Sequence, residues 1–355
     1  MSIEYGIRSS EFIKGEVSQL DIMQSVELGT NLGDALKAGR VGIGYADDSK
    51  SKANAMAVMA ALSSKNINVW SFGASFLAKL SYLTCFSCLN AGIFIDSKRG
   101  AIILVGPDGV SVSDSLKNKI SENIEHEKSD KNEYSNIFDM KSLNGLYSKA
   151  LQRELYGEDG FNCVIKSSNP QIEMLLNDVL KNKENEKLVL RVNKFGTGVS
   201  AYTKQTGLVP YSRLQLICES WEKSHCGVFL SNKDSEYLKI AYKNDGLFTA
   251  VRLLRILKYE DLNFESINEA VPENYVKRRV LNIEMNKDLY KNLKNNGYDI
   301  KYDKENIFQL NTGTAVASIL PLDGGKTGVL SQSSSIKGAR SLDEEIEKIL
   351  EKQCF

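Results

Sequence analysis

Val41 to Gly73, VGIGYADDSKSKANAMAVMAALSSKNINVWSFG, alternates short apolar runs with a helical pattern, and the fold class follows from that alternation. Val41 to Gly44 is a short apolar run ending in glycine. Polar Asp47, Asp48 and Ser49 follow as a loop, and Ala53 to Leu62 then reads as a helix. Ile67 to Phe72 is a second short apolar run. A strand, a crossover helix and a strand predict a parallel sheet, because parallel neighbours cannot be joined by a tight turn. Working outward, Phe76 to Leu89 predicts another helix and Gly92 to Ile95 a third strand. Ala101 to Val105 is stopped by Gly106-Pro107-Asp108-Gly109, turn chemistry that makes it a hairpin partner for the preceding strand.

The charged, apolar-poor run Ser121 to Tyr134 (SENIEHEKSDKNEY) predicts an exposed linker and a domain boundary. A second series follows: a strand at Asn162 to Ile165, a helix opened by Asn169-Pro170 and running to Leu180, and a strand at Lys187 to Val192. Gly246 to Leu257 is a strongly apolar helix with Asp245 placed to cap it. After Pro272 the pattern changes. A helix from Lys287 to Asn295, strands at Asp299 to Tyr302, Ile307 to Leu310 and Ala315 to Leu320, and a helix from Leu342 to Lys352 describe a small α+β module.

Composition narrows the functional classes. In 355 residues, 45 basic side chains balance 45 acidic ones, so no net field draws the molecule to nucleic acid or to an anionic membrane. The 42% hydrophobic share and the presence of only 5 Pro exclude disorder as the main theme. Six scattered cysteines, and an opening MSIEYGIRSS without a basic and apolar leader, give the expectation of a reducing, cytoplasmic protein. Val69 to Ile95 carries Lys79 as its single charge, but Gly73, Asn90 and Gly92 break it, so a buried helix feeding a buried strand is expected rather than a membrane span.

In its order of signatures the chain resembles the α-D-phosphohexomutase family, the phosphoglucomutases and phosphomannomutases. Tyr5-Gly6-Ile7-Arg8 is similar to the family's opening Gly-Ile-Arg, and Val41 to Gly73 follows its first strand, loop and helix. Gly92 to Ile95 with Gly106 to Gly109 resembles the strands flanking its phosphoserine loop. Gly198 to Leu216 (GVSAYTKQTGLVPYSRLQL) resembles the hairpin and helix after its metal loop, and Asn244 to Ala250 its Asp-Gly helix start. The resemblance implies three α/β domains with mixed, mostly parallel sheets, the middle two shortened, and a small C-terminal α+β domain. The expected boundaries are 1–133, 134–218, 219–275 and 276–355.

Phosphoryl transfer between two sugar hydroxyls needs a carrier nucleophile, a metal to neutralise charge, and cations for the sugar's other phosphate. The family's carrier is the serine of a Thr-Ala-Ser-His-Asn-Pro loop. Here Asp96-Ser97-Lys98-Arg99-Gly100 stands in that place, with Ser97 the candidate nucleophile and Lys98 and Arg99 candidate phosphate ligands, but with no evident base. The family's Mg²⁺ loop, Asp-Gly-Asp-x-Asp-Arg, is replaced by Arg191 to Gly198 (RVNKFGTG), which holds no carboxylate; Gly196 and Gly198 predict a plain turn, and Lys194 offers only ammonium charge. The sugar-selecting Gly-Glu-x-Ser-Gly-His loop is reduced to Glu222 to Gly227, where Ser224 and His225 are the candidate hydroxyl contacts. The phosphate-binding loop is reduced to Pro321 to Gly328, with Lys326 and Thr327 as candidates, and Arg8 is a further residue that can face an anion.

Gly325-Lys326-Thr327 ends like a P-loop, but Leu320 stands where its first glycine belongs and no helix is expected after it. Cys85-Phe86-Ser87-Cys88 has metal-site spacing without a second pair, and is expected as buried thiols inside a helix. With His126 and His225 as the only histidines, a Ser-His-Asp hydrolase lacks parts. The resemblance therefore implies a degenerate homologue, similar to the mutase-like domains fused to sugar nucleotidyltransferases. Its expected role is to bind a sugar phosphate, or a protein partner in sugar-nucleotide metabolism, as a scaffold in sugar-phosphate or cell-envelope precursor metabolism. No metal site and no cofactor are expected. The alternatives are an active Mg²⁺-dependent mutase with atypical loops, and an interaction module without a sugar ligand.

Overall fold

The computed structural model describes residues 21–110, 134–155, 160–181, 188–224, 245–271, 275–281, 299–302, 308–311, 315–322 and 326–333, with single residues between these segments and part of a helix at 341–348. Two compact units divide the chain, Met1–Asn268 and Glu269–Phe355. The fold is α/β with mixed sheets.

In the first unit, α1 (Ile22–Leu36) leads into β1 (Arg40–Tyr45), α2 (Ser49–Ser64), β2 (Asn68–Ala74), α3 (Leu77–Phe86), β3 (Ala91–Asp96), β4 (Ala101–Val105) and β5 (Ile137–Asp139). The strands lie in the order β4-β3-β1-β2-β5. β1 pairs in parallel with both β2 and β3, β2 in parallel with β5, and β4 returns antiparallel on β3 as the turn chemistry after it predicts. The core is a continuous cluster that includes Leu28, Leu32, Val41, Ile43, Val58, Leu62, Val69, Ile93 and Ile95. Because the chain leaves central β1 for β2 on one side and returns to β3 on the other, strand order reverses at β1. In open α/β sheets the crevice at such a point, outside the carboxyl ends of the strands, is where ligands bind.

A second sheet of the same unit follows α4 (Asn144–Glu154). It comprises β6 (Val164–Ser167), α5 (Pro170–Leu180), β7 (Val189–Val192), β8 (Val199–Thr203) and β9 (Gly207–Val209), in the order β6-β7-β8-β9, of which only β6 and β7 run parallel. Helices α6 (Tyr211–Ser224), α7 (Gly246–Tyr259) and α8 (Phe264–Ala270) complete it. Asp245 caps α7 as its position in the sequence predicts, accepting from the N–H groups of Leu247 and Phe248. A buried ion cluster, Glu154 with Arg252 and Arg255, ties α4 to α7, the Arg255–Glu154 contact measuring 2.8 Å.

The second unit is an antiparallel sheet in the order β10-β14-β13-β12-β11, built from Tyr275–Leu281 (β10), Asp299–Tyr302 (β11), Phe308–Asn311 (β12), Ala315–Leu322 (β13) and Lys326–Ser333 (β14). Ala317, Ile319 and Val329 are buried in it, as are Leu342 and Ile346 of the last helix. The expected helix at Lys287 to Asn295 and most of the linker Ser121 to Tyr134 lie outside the described residues. No described helix is long and apolar enough to cross a membrane.

Two local readings need correction. The loop expected at Asp48 and Ser49 is already the start of α2, because the Asp48 side chain accepts from Ser51 N–H and caps the helix there. Cys85 and Cys88 are not buried thiols within one helix. α3 stops at Phe86, Cys85 is half-buried, and Cys88 is exposed in a left-handed turn at φ 50° that ends the helix.

Candidate functional site

Three turns converge at the carboxyl ends of β1, β3 and β7. After β1, Asp48 caps α2: Ser51 donates its N–H to Asp48 Oδ1 at 3.0 Å and its hydroxyl to Oδ2 at 2.7 Å. Burial alone would raise the Asp48 carboxyl, but the hydrogen bonds from Ser51 and the charge of Lys98 outweigh it and hold the group below the usual carboxylate range. After β3, residues Ser97–Arg99 form a single tight helical turn closed by left-handed Gly100. Ser51 Oγ accepts the Ser97 N–H at 2.8 Å, and the Asn54 amide donates to Ser97 Oγ at 2.8 Å, so the first helical turns of α2 hold the β3–β4 connection.

Ser97, the candidate nucleophile, is therefore 3% exposed and takes a hydrogen bond from an amide, a group that cannot accept its proton. Lys98 and Arg99 project from the same turn and are exposed. Arg99 donates to Asp96 Oδ2 at 2.6 Å; Asp96 is buried and its other oxygen has no partner among the described residues.

After β7, Asn193 organises the turn Asn193 to Gly198. Its Oδ1 accepts from the N–H groups of Phe195 and Thr197 at 3.1 and 3.0 Å, and its Nδ2 donates to Thr197 Oγ1 at 3.1 Å. Gly196 sits at φ 77°, and a Cβ there would lie 2.8 Å from Leu247 and 3.0 Å from Ala78 and Phe76, so conformation and crowding both require glycine. The turn is fixed to its surroundings by four contacts: Ala78 N–H to the Phe195 carbonyl (3.0 Å), Gly246 N–H to the Gly196 carbonyl (2.8 Å), Asn169 Nδ2 to the Lys194 carbonyl (3.1 Å), and an edge contact of the Phe195 ring on Phe94 of β3 (6.0 Å). At the start of α5, Gln171 reaches back to Asp47 at 3.5 Å, and its carbonyl oxygen is buried without a partner among the described residues.

This framework places the Lys194 ammonium over the Phe195 ring, 4.6 Å from its centroid, where it feels the charges of Arg99 and Asp96. Burial and then Arg99 lower its pKa from the ordinary lysine value, with Asp96 opposing. Sequence reading singled out Ser97, Lys98 and Arg99, set Lys194 aside as bare ammonium charge in a plain turn, and missed Ser51, Asn54, Asp96, Asn169 and Gln171. The contacts of Ser51 and Asn54 with Ser97, and of Gln171 with Asp47, are made only by tertiary approach.

The resemblance implies magnesium at the β7–β8 turn, and the residues there do not fit it. A hard cation needs several oxygen ligands, whereas Asn193 spends its oxygen on its own turn and Lys194 presents a positive charge. Among the described residues, no group of three or more His, Cys, Asp or Glu side chains is arranged to hold a metal ion.

Four other ligands were expected from the sequence besides Ser224. Arg8 and His225 lie outside the described residues, and Ser224 is the last residue of α6. Lys326 and Thr327 belong to the second unit, where they open β14 opposite Leu322 and Pro321; β14 then runs on to Ser333, so no P-loop helix follows.

The architecture, with strand order reversing at β1, is of one class: an α-D-phosphohexomutase-like α/β fold. Three solved structures carry that statement. A candidate phosphomannomutase from Thermus thermophilus superposes with a TM-score of 0.60 at 12% identity, over 97% of this chain and 100% of that one. A phosphoglucomutase/phosphomannomutase family protein from Burkholderia thailandensis gives 0.59 at 12% identity, over 96% and 95%. The phosphoglucomutase parafusin from Paramecium, in its open form, gives 0.56 at 10% identity, over 97% and 96%. No protein-family sequence model matches the chain, and no curated protein sequence matches it significantly.

Proposed function

We propose that this chain is a phosphohexomutase homologue that binds a phosphorylated sugar without transferring its phosphoryl group, as a binding or scaffolding component of sugar-phosphate or cell-envelope precursor metabolism. The observation that carries this reading is the pair of turns facing one another after β3 and β7. Cations and buried hydrogen-bond acceptors lie there, while among the described residues no base contacts Ser97, and the β7–β8 turn holds no carboxylate. Arg99 and Lys194 suit a phosphate, and the buried oxygens of Asp96 and Gln171 have no partner among the described residues. Phosphoryl transfer would require a proton acceptor at Ser97 and charge neutralisation at the transferred group, and each missing element costs orders of magnitude in rate. The scattered positions of the six cysteines support a reducing, cytoplasmic setting.

Two measurements on the purified protein test the reading. The first is a coupled mutase assay with glucose, mannose and glucosamine phosphates, Mg²⁺ and a bisphosphate activator, run beside Ser97→Ala. The second is the shift in melting temperature with the same sugars, since a ligand selective for the folded state raises it. The expected result is no turnover in either protein and a rise in Tm with at least one phosphosugar. Turnover abolished by Ser97→Ala would establish the mutase instead, and no shift with any phosphosugar would leave a scaffold without a sugar.

A further inference from the structure

The misfit between the β7–β8 turn and a divalent ion has a physical consequence for binding. Lys194 is held by its backbone through the Asn169 amide, and its ammonium rests on Phe195, whose ring is fixed in turn against Phe94 of β3. No carboxylate lies within ion-pair distance of the Lys194 ammonium among the described residues, and its strongest charged neighbour is another cation, Arg99. Arg99 is anchored by Asp96, and a single carboxylate cannot neutralise both cations. The Phe195 ring beneath Lys194 packs on Phe94 of β3, the strand that leads into the Arg99 turn, and neighbouring cations are relieved by an anion that both can reach, since phosphate oxygens make strong charge-assisted hydrogen bonds with ammonium and guanidinium groups.

We propose that Lys194 and Arg99 form a metal-independent subsite for a phosphate monoester, the ammonium of Lys194 supplying the charge that a divalent ion would bring to such a turn. This deepens the phosphosugar-binding reading and rests on it. Lys194 here is a binding residue, and no step of bond making or breaking is assigned to it. Lys98 shares the turn of Arg99 and adds positive charge, and Asp48, which feels Lys98, is already committed to capping α2.

The test follows the melting temperature of the full chain, and binding by titration calorimetry, with inorganic phosphate and with glucose 1-phosphate, each in excess EDTA and in excess MgCl₂. Wild type, Lys194→Met and Lys194→Arg are compared. Stabilisation undiminished by EDTA, weakened about tenfold or more in Lys194→Met and retained in Lys194→Arg supports the subsite. Stabilisation only with Mg²⁺, or full affinity in a folded Lys194→Met, overturns it while leaving phosphosugar binding standing. No stabilisation by either compound, with or without metal, overturns both. Circular dichroism and Tm of the unliganded variants separate lost binding from lost folding.

Discussion

Ser97 is the residue whose sequence context and structural context diverge most. Beside Lys98 and Arg99 it reads as a phosphate-bearing serine, yet its backbone N–H and hydroxyl are both taken up by α2. Ser97→Ala removes the hydroxyl that accepts from the Asn54 amide, so a loss of about 1–3 kcal/mol in urea denaturation is expected, with no change in mutase turnover. Asp245 offers a pH-dependent counterpart. Complete burial drives its carboxyl up to about 7, although the N–H groups of Phe248 and Leu247 and the Tyr147 hydroxyl all act to lower it. The folded protein thus retains a proton that the unfolded chain releases near 3.8. The stabilisation this gives is complete below the unfolded value, declines as pH rises to about 7, and is level above it. Urea midpoints measured from pH 4 to 8 are expected to show this decline in wild type and to lose it in Asp245→Asn.

At the scale of elements, two helix starts set by neighbouring residues were legible, while the start of α2 at its Asp48 cap was read as a loop. Asn169-Pro170 and Asp245 open their helices where the sequence places them, because an N-cap acts within one turn. Packing between elements was not legible. Gly246 approaches the β7–β8 turn so closely that a Cβ would lie 2.5 Å from the Gly198 carbonyl carbon. Gly246→Ala should force α7 away from that turn, lowering stability by about 1–3 kcal/mol and weakening phosphate binding in the same variant. The Glu154 cluster is the second such joint. Glu154→Gln leaves Arg252 and Arg255 buried beside a neutral side chain, and a loss of about 3–5 kcal/mol by thermal or denaturant unfolding is expected.

Across the molecule as a whole, the phosphate-facing residues Arg99 and Lys194 both belong to Met1–Asn268, which has its own core. A protein of residues 1–268 is expected to unfold cooperatively and to keep the melting shift with inorganic phosphate, measured by calorimetry. Loss of the shift in this folded piece would mean that the second unit supplies part of the site. The α/β class, the alternation of strand and helix around β1, and the chemistry missing from the β7–β8 turn are all legible in the residue order, since periodicity, caps and residue types are local properties. That Ser97 is locked under α2, and that Lys194, distant in the chain, lies beside Asp96 and Arg99, became visible only in three dimensions. Those outcomes depend on how two sheets bring the carboxyl ends of their strands together, and no local pattern encodes that approach.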